Sequence, residues 1–148
     1  MDIQSFIMGV FSTMNMFDEC LNLSRKIDNV YEKMYTLKVK ATSPKNQIIT
    51  DMPKGSGQGD MIERYLIELE RLENKLKKLT QKRNTIWQQI NEMFSDNKET
   101  VEMLKWRFFC AYSWKECEEI MKCKYPNSNW NINKCFRVYR NAVYKLHK

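Results

Sequence analysis

The feature that most constrains the fold is an apolar seam running through residues 60 to 94. It reads Ile62, Tyr65, Leu69, Leu72, Leu76, Leu79, Arg83, Ile86, Ile90 and Met93, alternating steps of three and four, with Arg83 as the one charged member. Such spacing keeps side chains on one stripe of an α-helix and matches no strand pattern. A helix over Asp60–Phe94 is about 52 Å long at 1.5 Å per residue, too long for a small domain to enclose. The seam therefore packs on another helix of the chain, on a second copy, or on both. A partner lies upstream: Cys20, Leu23, Ile27, Val30, Met34, Leu37 and Ala41 repeat the same spacing. Between the two stripes, residues 41 to 60 hold two prolines and three glycines, the composition of a linker. The first 17 residues lack a clean period and fit either a short helix or a mobile arm.

Counted outward from that linker, an antiparallel hairpin brings Asp18 and Glu19 towards the Arg83–Ile86 turn. A guanidinium in an apolar seam is costly to bury unpaired, so Arg83 either pins the register or lies at a widened end and snorkels to water. Gly55, Gly57 and Gly59 do not form a phosphate loop, because Lys54 precedes them and Asp60 would repel phosphate.

Beyond the seam, Ser95, Asp96 and Asn97 offer caps for a helix over Glu99–Ala111, with Val101, Leu104, Phe108 and Phe109 facing a core. Ser113 followed by Glu116 has the form of a capping box opening a helix over Trp114–Lys124. Tyr125 to Asn129 is a turn, and the last helix runs from about Trp130 to Leu146. With four glycines and three prolines in 148 residues, the expected class is all-α: a coiled-coil-like helical hairpin, then a helix-turn-helix. The expected division is an arm and hairpin over 1–95 and a second domain over 96–148.

Charge points to function. Residues 1 to 120 carry 18 basic and 18 acidic side chains, so the net charge of +7 resides in the last 28 residues, which hold no carboxylate. Segregation of this kind suits a polyanion. On the last helix Ile132, Cys135, Phe136, Tyr139, Ala142, Val143 and Leu146 fall on one side. Lys134, Arg137, Asn141, Lys145 and Lys148 fall on the other, with Asn133, Arg140 and Tyr144 at a border. A helix anchored by one face and offering cations and amides on the other meets what the DNA major groove requires. The candidate DNA contacts are Asn131, Asn133, Lys134, Arg137, Arg140, Asn141 and Lys145, with Lys115, Lys122 and Lys124 placing the domain on phosphates. A membrane-surface helix would expose its apolar side chains beside the lysines, whereas here a core uses them.

Other chemistry is poorly supported. The five cysteines lack zinc-site spacing and read as reduced, buried thiols. The single histidine, His147, is the penultimate residue, so neither an enzyme, a metal nor a cofactor is expected. No apolar run reaches the roughly 20 residues of a membrane span, and no basic residue precedes Arg25 as a secretory leader requires, so a cytoplasmic protein is expected.

The segment MLKWRFFCAYSWKECEEIM, followed after a turn by VYRNAVYKL, resembles region four of bacterial sigma factors. It is closer still to phage late-gene transcriptional regulators of the RinA/ArpU type, and DMPKGSGQGDMIERYLIELERLENKL resembles their linker and central helix. Trp114 and Glu116 stand where that family opens its first helix-turn-helix helix, and Ala142 and Leu146 match packing positions of its recognition helix. Cys117 and Glu118 depart from the family pattern, which holds an aliphatic and a small residue there, and the turn is longer. The resemblance implies DNA-binding transcription control in a phage or prophage setting, with RNA polymerase as a further partner. The expected partners are thus double-stranded DNA, RNA polymerase by that analogy, and a second copy along 60–94. The rival reading is an inhibitor whose basic C-terminal face blocks a nucleic-acid enzyme.

Overall fold

The computed structural model describes the backbone of residues 3–42 and 55–146, and the side chains of 16–42 and 60–146. Among these, every regular element is helical, so the chain is all-α. The elements are α1 (Ile3–Thr42), α2 (Gly55–Met93), α3 (Lys98–Leu104), a π-helical segment (Lys105–Phe109), α4 (Trp114–Lys124), a 3-10 turn (Pro126–Ser128) and α5 (Ile132–Leu146). The N-terminal segment that lacked a clean period is helical from Ile3. α2 opens at Gly55, so the linker is shorter than its composition suggests; residues 43 to 54 lie outside the described residues. Extending an existing helix gains a hydrogen bond per residue, which offsets the cost of about 1 kcal/mol for each glycine.

Contacts divide the chain into two compact units, one of residues 1–25 with 82–148 and one of residues 26–81. The boundary expected between 95 and 96 falls inside the first unit, because its core draws on both ends of the chain. Phe17, Cys20 and Leu21 of α1 and Ile90 and Phe94 at the end of α2 are buried with Met103, Leu104, Phe108, Met121, Trp130, Cys135 and Ala142. Phe17 is fully buried at the centre of this core. Its ring lies 5.1 Å from Phe108, 5.6 Å from Tyr139 and 6.2 Å from Phe94, within the range of favourable aromatic pairs.

Asn97 caps α3, its Oδ1 accepting from Thr100 N–H at 3.2 Å. The single helix expected over Glu99–Ala111 is instead an α-helix that widens into a π turn at Lys105. The wider turn lets Phe108 enter the core while its neighbour Phe109 packs 5.6 Å from Trp87. Ser24, buried in α1, places its hydroxyl 3.0 Å from Phe108 O and 2.8 Å from Phe109 O. The segment ends at Ala111, whose φ of 61° puts a Cβ in the left-handed region at a cost of about 1–2 kcal/mol.

Arg83 takes an aromatic partner. Its guanidinium carbon lies 4.1 Å from the Phe109 ring centroid, and its buried Nε has no hydrogen-bond partner among the described residues. Glu19, counted into register with this turn, pairs with the adjacent Lys82 at 3.7 Å, on the surface.

The unit of residues 26–81 is sparer. It buries Ile27, Val30 and Leu72, and leaves Tyr31, Tyr35, Val39, Met61, Ile62, Leu66 and Ile67 exposed. The seam is thus unevenly used: Leu69, Leu76 and Leu79 are half-buried and Ile62 faces outward. An open groove of about 410 Å³ is lined by Asn29, Glu32, Lys33, Leu37, Glu68 and Leu72, among others.

Candidate nucleic-acid interface

Both helices of the basic region are defined at their starts by side-chain caps. Ser113 Oγ accepts from Glu116 N–H and Glu116 Oε1 accepts from Ser113 N–H, each at 3.2 Å, the reciprocal box anticipated in the sequence. α4 then packs on α5 through Cys117 and Met121, both fully buried.

The connection to α5 is tied down by two carboxylates of α3. Glu99 Oε1 accepts from Trp130 Nε1–H at 2.8 Å, and Glu102 accepts from both Lys124 Nζ and the Tyr125 hydroxyl. Hydrogen bonds from Trp130 and Ser128 hold the Glu99 carboxyl below the usual carboxylate range. Burial pushes the Glu102 carboxyl up, but the bonds from Lys124 and Tyr125 outweigh it and leave the group lowered. The same bond to Glu102 pushes the Tyr125 phenol up to about 12. Asn129 closes the turn with φ of 55°, a conformation asparagine tolerates. Trp130, expected to open the last helix, instead lies buried ahead of it, and α5 begins at Ile132.

These contacts separate the ten candidate side chains into groups. Asn131 caps α5: its Oδ1 accepts from Lys134 N–H at 2.8 Å. Lys134 folds back, donating to Ser128 O at 2.5 Å with Nζ 4.4 Å from the Trp130 ring centroid. Lys145 lies 3.5 Å from Asp96 and 5.0 Å from the Phe94 ring. Lys122 pairs with Glu118 at 3.4 Å, and Lys124 with Glu102. Lys115, Asn133, Arg137, Arg140 and Asn141 are exposed, and among the described residues none hydrogen-bonds or pairs with their side chains.

Asn133, Arg137 and Arg140 fall on successive turns of α5, and Tyr144, 64% exposed, continues their row. This row lies opposite Cys135 and Ala142, which are buried. The outward face is therefore centred on Arg137 together with Asn133, Arg140 and Tyr144, the three placed at its border in the sequence, while Lys134 and Lys145 are drawn to its flank. Phe136 is a second correction. Assigned to the buried side, it is 44% exposed, with its ring set against Trp114 at 5.0 Å and 64°. A position on the edge of the apolar arc is the only sequence signal for it. Lys148 lies outside the described residues.

The three buried thiols, Cys20, Cys117 and Cys135, sit in surroundings that disfavour the thiolate. Burial is the largest influence on each, pushing Cys20 and Cys135 up to about 11 and Cys117 to about 12. Among the described residues no three His, Cys, Asp or Glu side chains gather as metal ligands, and no helix is long and apolar enough to cross a membrane. No family model, curated protein or solved structure matches the chain.

Proposed function

We propose that the protein is a double-stranded-DNA-binding transcriptional regulator whose last helix enters the major groove. The observation that carries this reading is the row Asn133, Arg137 and Arg140: one amide and two cations, unpaired among the described residues, on a helix anchored by its opposite face. Arginine reads guanine or neutralises phosphate, and asparagine recognises adenine through its amide. α4, the connection and α5 act on this reading as a helix-turn-helix, with Lys115 beside the α4 N-terminus contacting backbone phosphate. Lys122, Lys124 and Lys145, each paired with a carboxylate, add a weaker positive field around the row, and Lys134 adds a charge held back against Ser128 and Trp130.

A second copy of the chain is proposed as a partner, because the exposed face of residues 26–81 offers Tyr31, Tyr35, Leu66 and Ile67 to an apolar neighbour. Contact with RNA polymerase and a phage or prophage setting rest on the sigma-like and RinA/ArpU-like resemblance alone, as does a place in the host cytoplasm.

The test is the salt dependence of binding to fluorescent duplex DNA. With about three phosphates neutralised by Lys115, Arg137 and Arg140, log K falls against log salt with a slope of about −3. Arg137→Ala loses about 1–3 kcal/mol where the guanidinium reads a base, and Lys122→Ala loses little. A slope near zero, or unchanged affinity in the Arg137→Ala/Arg140→Ala double variant, overturns the reading. Tight binding to a nucleic-acid enzyme without DNA favours the inhibitor instead.

A further inference from the structure

We infer that the outward face of α5 selects thymine through Phe136, so that the DNA it reads carries an A·T element beneath the first turns of the helix. The inference rests on the DNA-binding reading above and names what that face discriminates. Among the described residues of α5, Phe136 is the exposed large side chain without a polar atom, whereas Tyr144 carries a hydroxyl; Phe136 follows Asn133 by three residues and precedes Arg140 by four, so it borders both. Its ring does not hang free. It meets Trp114 at 5.0 Å, and Trp114 is itself fixed against Phe108 at 6.1 Å, against Tyr139 at 5.6 Å and under the Arg107 guanidinium at 4.7 Å. The result is a rigid apolar projection that loses little conformational freedom on binding.

The four bases differ in what they present to such a projection. In the major groove only thymine carries an apolar group, its C5 methyl; the other edges are polar donors and acceptors or bare ring carbon. An exposed phenylalanine between an amide and two guanidinium groups therefore adds a contact that cations cannot supply. Asn133, one turn earlier, offers the amide that pairs with adenine N6 and N7. Asn131 is unsuited to this role, because its carbonyl oxygen is committed to the helix cap.

The probe is the methyl group itself. A random-sequence duplex pool is selected on the full chain, and each thymine of the best-bound duplex is replaced in turn by uracil, which removes only the C5 methyl. One or more positions should lose about fourfold in affinity, the value of one buried methyl group. Phe136→Ala should bind the thymine and uracil duplexes equally, and Phe136→Leu should keep part of the preference. The change on the DNA side leaves the protein intact, so poor folding of a variant does not blunt the test. Indifference to every uracil, a selected consensus without thymine, or an undiminished preference in Phe136→Ala overturns this inference while duplex binding persists. Failure to bind any duplex overturns the DNA reading and this inference together.

Discussion

The two compact units use the same two long helices to opposite ends. Where α1 and α2 contribute residues 16–25 and 82–94, they meet four further helical elements, α3, the π segment, α4 and α5, and large side chains such as Phe17, Ile90 and Phe94 are removed from water. In the unit of residues 26–81 the described residues belong to the two long helices alone, and seven of the eleven exposed large hydrophobics among the described residues lie there. Two helices alone bury one narrow stripe, whereas an apolar arc of more than about 100° needs a further layer. Periodicity makes a helix; only the number of neighbours makes a core.

The largest expected effect breaks this comparison at its strongest point. Phe17→Ala removes the ring shared by Phe94, Phe108 and Tyr139 and should cost about 3–5 kcal/mol in chemical denaturation. Tyr35→Ala, an aromatic 70% exposed in the other unit, should change stability by less than about 0.5 kcal/mol. Comparable losses at the two sites would mean that the second unit has a core of its own.

A smaller effect is expected at the cysteines. Cys135 is fully buried between α5 and its neighbours, so Cys135→Ser should cost about 1–3 kcal/mol by burying an unpaired hydroxyl. Cys123→Ser, on the exposed side of α4, should be neutral and serves as the control.

Much of the helical framework was legible because its signals are local. The three-and-four spacing of Cys20 to Ala41 and the Ser113–Glu116 box depend on neighbours within a turn or two. Even the pairing of Glu19 with Lys82 lies one residue from the register obtained by counting outward from the linker. The π segment was illegible because Phe108 and Phe109 are both apolar, and only their separate partners tell one from the other. The site was half legible for the same reason. A run of cations without carboxylates is visible in the chain, but which cations stay free depends on Asp96, Glu102 and Glu118, all outside that run. Segregation along the sequence is not segregation in space. Phe17 continues the three-and-four spacing one step before Cys20, where the stripe read from the sequence begins.

Exposed apolar residues on the second unit give the next prediction, which changes association and leaves stability nearly untouched. Leu66 and Ile67 are 55% and 58% exposed, so replacing both with lysine removes no core contact. If the face is covered by a second copy, sedimentation should show a dimer in the parent chain and a monomer in Leu66→Lys/Ile67→Lys. A monomeric parent chain would leave the two-helix unit as a solvated spacer.

The smallest effect compares two lowered carboxylates, one in each unit. Glu102 ties α3 to the connection before α5, and its side chain is 16% exposed; Glu68, 42% exposed, bonds among the described residues to Arg71, three residues away on the same helix. Bonds from Lys124 and Tyr125 outweigh burial at Glu102, whereas the bond from Arg71 is the largest influence on Glu68. A carboxyl held lower in the folded state than in the unfolded chain adds stability that is complete above its ordinary value of about 4.3. That stability is lost as pH falls through the lower folded-state value. Glu102→Gln keeps the shape but not the charge, so it should destabilise by about 1 kcal/mol or less near neutrality, given the exposure of Lys124. Its difference from the parent chain should shrink as pH falls below the ordinary carboxylate value and vanish once the parent's lowered carboxyl also protonates. Glu68→Gln should show no measurable difference at any pH, because a surface pair within one helix holds nothing together beyond that helix. A matching pH profile in the two variants would mean that Glu102 does not fix the connection, and that α5 is set in place by its apolar face alone.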